Sequence, residues 1–156
     1  MLGILFSLCA AAEQAPQISE PSYLDHQYMT QGRATLDDLA RSHLGGQFNG
    51  NKNNDLTLLQ QLLDRRLVRS DQKKELQAMG VIMGDLLAEE LDLHWVIYED
   101  SIGRSRALRY KKTENYLFPM TMISRRREAG NLSPVSDIYQ RAVDLIKPQL
   151  PPLPFQ

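Results

Sequence analysis

Residues 79–110, MGVIMGDLLAEELDLHWVIYEDSIGRSRALRY, decide the fold class. Met79, Met83, Leu86 and Leu87 continue a stripe that begins at Leu76, and spacings of three and four put them on one helix face. After Leu91 the period changes. Leu93, Trp95 and Ile97 alternate with His94, Val96 and Tyr98, the two-residue repeat of a strand. Asp100, Ser101, Ile102 and Gly103 have turn composition, and Arg104 to Tyr110 follow as an antiparallel partner. A long helix running straight into a hairpin predicts an α+β domain, with about four or five helices packed on a small antiparallel sheet.

The unusual residues of this stretch have structural roles first. Gly80 and Gly84 lie four apart in the helix, and each costs about 1 kcal/mol against alanine in a helix interior. Two on one face predict a neighbour packed unusually close. Trp95, the only tryptophan, is expected to anchor the core, and Gly103 to help turn the hairpin.

Outward from this block, three more helices are predicted. Thr35 has the character of an N-cap, with Asp37 and Asp38 in the first turn and Gly45-Gly46 as the stop, for a helix over 35–44. A second covers 55–67 on Leu56, Leu59, Leu62 and Leu63. The long helix itself spans 71–91. Ser133-Pro134 opens the last, over 134–147, with Val135, Ile138, Ala142, Val143 and Ile146 as its stripe. Between hairpin and last helix, 116–120 are expected as a third strand that Pro119 puts at an edge or ends, and 122–128 as a short helix. Residues 13–34 are polar with scattered Pro and Gly and are expected to form a flexible arm. Residues 148–156 are Pro-rich and are expected to form an extended tail. The single domain is thus placed at 35–147.

A chain of 156 residues suits one domain, which at that size buries roughly 68–70% of its unfolded surface. Residues 1–12, MLGILFSLCAAA, carry no charged side chain, and Ala10-Ala11-Ala12 fits a small-x-small cleavage site. The expectation is a signal-peptide remnant and a periplasmic or secreted location, with a cytoplasmic protein as the alternative. Cys9 is the only cysteine, so no intrachain disulfide and no cysteine-based metal site can form. No run approaches the ~20 apolar residues of a membrane span.

His26, His43 and His94 are widely spaced, and no HExxH, EF-hand, GxSxG, Walker or GxGxxG pattern occurs. No catalytic residue, metal or cofactor is assigned. Charge is uneven. Residues 101–130 hold eight positive and two negative side chains, a net +6, whereas 61–100 hold five positive and nine negative, a net -4. Internal pairing of the acidic helix with the basic hairpin is the simplest reading. The functional reading is a surface for an acidic protein or anionic ligand at Arg104, Arg106, Arg109, Arg125 and Arg126, because guanidinium forks match carboxylates and phosphates. Strand alternation puts Arg104 and Arg106 on one face and Arg109 on the other. A net charge of -1 and few nearby aromatics argue against nucleic acid.

The run Gly80 to Leu87, then Leu93-His94-Trp95-Val96, then Gly103 through Arg109, with Pro119, Ile123 and Arg125 downstream, resembles the bacterial family catalogued as domain of unknown function 3806. The resemblance covers about residues 60–147, with Gly84 and Trp95 as its markers. It implies a bacterial origin and a small α+β domain, and no activity, site residue or cofactor. The expectation is therefore a non-enzymatic binding module. The alternatives are a small enzyme or binder acting on an anionic molecule, with Glu89 or Asp92 as base, and an immunity-type inhibitor.

Overall fold

The computed structural model describes residues 14–152. The elements run β1 (Gln17–Ser19), α1 (Tyr23–Leu44), α2 (Lys52–Asp64), α3 (Lys73–Leu91), β2 (Leu93–Glu99), β3 (Arg104–Tyr110), β4 (Tyr116–Leu117), a 3₁₀ turn (Pro119–Thr121), α4 (Met122–Glu128) and α5 (Val135–Ile146). The four strands form one antiparallel sheet in the order β1-β2-β3-β4. The protein is an α+β domain, as the switch of period after Leu91 predicts.

α3 is the axis. It touches the other four α-helices, β2, β3 and the 3₁₀ turn. The predicted stripe of Leu76, Met79, Met83, Leu86 and Leu87 is buried, and so are Val81 and Ile82, which a one-sided helix would expose. A helix apolar all round its middle is one covered on every side.

The glycines show how closely it is covered. A Cβ on Gly80 would overlap the backbone of Pro119 and Met120, with Met120 Cα only 2.6 Å away. A Cβ on Gly84 would meet the Trp95 ring at 2.6 Å and Pro119 Cγ at 3.0 Å. The predicted close neighbour is thus two segments, the indole and the 3₁₀ turn. Trp95 is half-buried, seated on Gly84, and its indole N–H donates to Asp85 Oδ1 at 3.0 Å.

Besides α2, which spans Lys52–Asp64 rather than 55–67, and α3, which begins at Lys73 rather than 71, three boundaries differ from the sequence reading. Residues 14–34 contain β1 and the first half of α1 rather than a loose arm. Ser22 caps α1: its hydroxyl accepts from the Asp25 N–H, while the Asp25 carboxylate accepts from the Ser22 N–H, a reciprocal box that starts the helix. Thr35 lies mid-helix, its hydroxyl bonded back to Gln31 O. Gly32 does not break α1, because its bare Cα faces Ala78 of α3, whose Cβ stands 3.1 Å from where a Gly32 Cβ would lie.

The second difference is β4, which stops after Leu117 rather than reaching 120. The third is the tail, where Lys147–Gln149 form a 3₁₀ turn before the chain extends. The leader expected over 1–12 lies outside the described residues, as do 153–156 of the tail. Among the described residues no helix is long and apolar enough to cross a membrane.

Gly80→Ala separates two effects of opposite sign. Helix propensity alone gains about 1 kcal/mol, whereas overpacking against backbone that cannot rotate away costs about 1–3 kcal/mol or more. Urea unfolding is expected to show net destabilisation. A more stable Gly80→Ala protein would mean that the 3₁₀ turn does not seat on Gly80.

Candidate functional site

The basic residues do not form one cluster. β2 and β3 pair with Trp95 opposite Leu108, Ile97 opposite Arg106 and Glu99 opposite Arg104. Arg104 and Arg106 therefore share the sheet face that carries Trp95 and looks toward the helices. Arg109 is on the outer face, where its Nε donates to Thr113 O at 2.7 Å and its guanidinium lies over the Tyr116 ring.

On the inner face both arginines converge on Asp25, which is 2% exposed. Arg104 Nη1 and Nη2 donate to its two oxygens at 2.9 and 2.6 Å, and Arg106 Nε donates to Oδ1 at 3.0 Å. Arg106 also stacks on Tyr28, 4.3 Å from the ring centroid. The internal complementarity read from sequence is present, but the partner is Asp25 of α1 rather than the acidic end of α3.

The acidic run of α3 has other partners. Asp85 receives a two-pronged contact from Arg33 at 2.6 and 2.9 Å, beside the Trp95 indole. Glu90 accepts from Lys52 Nζ and the Tyr139 hydroxyl. Burial pushes the Glu90 carboxyl up, but these donors outweigh it and lower it overall. Burial and Glu90 together push the Tyr139 phenol well up.

Hydrogen bonding from Arg104 holds the Asp25 carboxyl well below the usual carboxylate range. Burial pushes the other way, and the Ser22 backbone N–H and hydroxyl add to the lowering. The carboxylate is thus at once the capping-box partner of α1 and the counterion of β3.

Around this pair the structure opens a groove of about 650 Å³. Arg104, Ser105 and Arg106 form one wall, Phe118, Met120 and Thr121 the other, and Gln77 and Arg125 also line it. A second cleft of about 540 Å³ holds Arg126, Leu117 and Leu145 and shares Phe118, Thr121 and Arg125 with the first. Four of the five arginines singled out from sequence thus line these two adjoining clefts, together the arginine channel, and Arg109 lines neither. Tyr98 packs edge-on against Phe118 and Tyr116, with centroids 5.3 and 5.1 Å away, and forms an aromatic border on the outer face.

Arg125 is exposed and makes no ion pair among the described residues, whereas the Arg126 Nη1 donates to Met122 O at 2.7 Å. Glu89, a base candidate in the enzymatic alternative, lines a different cleft, between α1 and α3 with Arg33 and Phe48. Neither Glu89 nor Asp92 lines the arginine channel. Among the described residues no three His, Cys, Asp or Glu side chains gather as a metal site.

Sequence reasoning missed Asp25, Gln77 and Phe118. The Ser22-x-x-Asp25 spacing was a visible signal for Asp25, because it is that of a capping box. Gln77 and Phe118 carry no such pattern.

The family model described as "Domain of unknown function (DUF3806)" matches residues 55–139. No curated protein matches the sequence. A crystal structure from Bacteroides thetaiotaomicron is similar, with a TM-score of 0.75 at 20% identity over 85% of this chain and 49% of that one. At that identity the likeness concerns the fold, and this chain spans about half the length of that structure.

Asp25→Asn would leave two guanidiniums facing a neutral amide. Breaking one side of a buried pair costs about 3–5 kcal/mol. Arg104 is 44% exposed, and solvent screening should bring the loss to about 2–4 kcal/mol. Because the folded carboxyl titrates below its ordinary 3.8, its contribution is present above that pH and disappears as pH falls below it. Unfolding measured from pH 6 to pH 2 should therefore be less acid-sensitive in Asp25→Asn than in the parent. Parallel pH profiles would contradict the clamp.

Proposed function

The chain belongs to the family of domain of unknown function DUF3806, and for this member we propose a non-enzymatic binding module that takes an anionic ligand or acidic protein in the channel beside β3. The observation that carries the reading is Arg125. It is an exposed cation with no ion-pair partner among the described residues, at the point where the two clefts meet. Arg104 and Arg106 stand in the opposite wall but share Asp25.

Charge sets the strength expected. The groove region counts Arg104, Arg106 and Arg125 against Asp25 and Asp100, one positive charge in excess. Each exposed pair formed there contributes about 0.2–1 kcal/mol and weakens with salt. Ligands with several negative groups at chain-like spacing gain most. The envelope location expected from the uncharged start is part of the same proposal and is supported by the composition of residues 1–12.

The test uses hexaglutamate as probe, with binding followed by NMR shift mapping. Shifts should concentrate at Arg104, Arg106, Phe118 and Arg125, and Arg125→Glu should weaken binding about three- to tenfold at low salt. Arg65→Glu, an exposed site on a different element, should weaken it less. Equal loss in both variants, or shifts scattered over the surface, would leave only a general charge effect and overturn the reading.

A further inference from the structure

One wall of this groove is a strand edge that no other strand among the described residues pairs. In antiparallel pairing, residues alternately turn both backbone groups toward one neighbour and then toward the other. Two observed bonds set the phase for β3. Asp100 N–H donates to Gly103 O across the hairpin, and Tyr110 N–H donates to Asn115 O on the β4 side. Ser105, Ala107 and Arg109 thus turn their backbone groups to β2, while Arg104, Arg106, Leu108 and Tyr110 turn theirs the opposite way.

β4 meets only Leu108 and Arg109. Continued in register, the chain would place residue 119 opposite Arg106. That residue is proline, which has no N–H to give, and it is drawn onto Gly80 instead. The backbone N–H and C=O of Arg104 and of Arg106 consequently face the groove, and no strand of the described residues lies beside them. Along this edge the inner side carries the two guanidiniums, and the outer side carries Ser105 with Tyr98 and Phe118 beyond it.

We propose that an extended acidic peptide of a partner protein adds to β3 at Arg104–Arg106, filling the wedge that β4 leaves. Four backbone hydrogen bonds are on offer, two from each arginine. Residues lying directly opposite share a sheet face. Acidic side chains opposite Arg104 and Arg106 would therefore point inward to the guanidiniums and toward Arg125. Apolar side chains between them would point outward to Phe118 and Tyr98. The recognised pattern is acid-apolar-acid at strand spacing, over about three to five residues. This inference rests on the proposed binding role of the channel and specifies its ligand class.

The probe is acetyl-(Glu-Val)4-amide with a fluorescent label, read by anisotropy against the full chain, with amide exchange to locate it. Two modified peptides decide the question. N-methylation of the Glu residues removes the N–H groups that would face β3 and should weaken binding about tenfold or more. N-methylation of the Val residues removes N–H groups that face away and should leave binding within about threefold. Bound parent peptide should slow exchange at the Arg104 and Arg106 amides.

Equal loss from both methylations, loss from neither, protection elsewhere such as β1, or no binding of the parent peptide each overturns strand addition. Hexaglutamate binding that depends on Arg125 would still stand in those cases, so failure of the strand model is distinguishable from failure of the binding reading.

Discussion

The structure depends on how closely one helix lets its neighbours approach. Gly80 and Gly84 present bare backbone on α3, and Pro119, Met120 and the Trp95 ring occupy the space that two methyl groups would fill. The hairpin is set against α3 by Trp95, whose indole N–H finds Asp85. The chain after β4 is held down on the helix by the 3₁₀ turn. That descent ends β4 after two residues and leaves Phe118, Met120 and Thr121 across the groove from Arg104 and Arg106. The groove is thus a consequence of packing on α3, with no lid or insertion needed to form it.

A second constraint, Asp25, closes the other side. One carboxylate caps α1 and neutralises two arginines of β3. This holds the Arg104 and Arg106 guanidiniums on the inner face. Because both cations share one anion, the wall keeps a positive character while tied to the fold. Arg125, on α4, is held by no such bond among the described residues and is the charge a ligand could engage at lowest cost.

Much of this architecture is legible in the sequence wherever periodicity is strong. The stripe from Leu76 to Leu87, the alternation from Leu93 to Tyr98 and the Asp100–Gly103 turn each show up as a local pattern with a local cause. Gly80 and Gly84 announce a close neighbour, although not that part of it would be the segment beginning at Pro119. The first half of α1 is hidden because Gly32 and the polar residues around it have the composition of a loop. What makes them helical is Ser22 with Asp25 at the start and the contact with Ala78 across to α3. The channel itself was legible only as uneven charge. Which arginines share it depends on strand face and on the long-range partner Asp25, 79 residues before Arg104, and no local pattern carries that information.

The central claim is that seating Pro119 and Met120 on Gly80 leaves β3 with a free edge at Arg104 and Arg106. Native-state amide exchange of the unliganded protein tests it residue by residue. The account predicts an alternation along β3, with Ser105 and Ala107 protected by β2 and Arg104 and Arg106 exchanging much faster. Protection at Arg104 and Arg106 equal to that of Ser105 and Ala107 would mean that the edge is already paired, and would contradict the account.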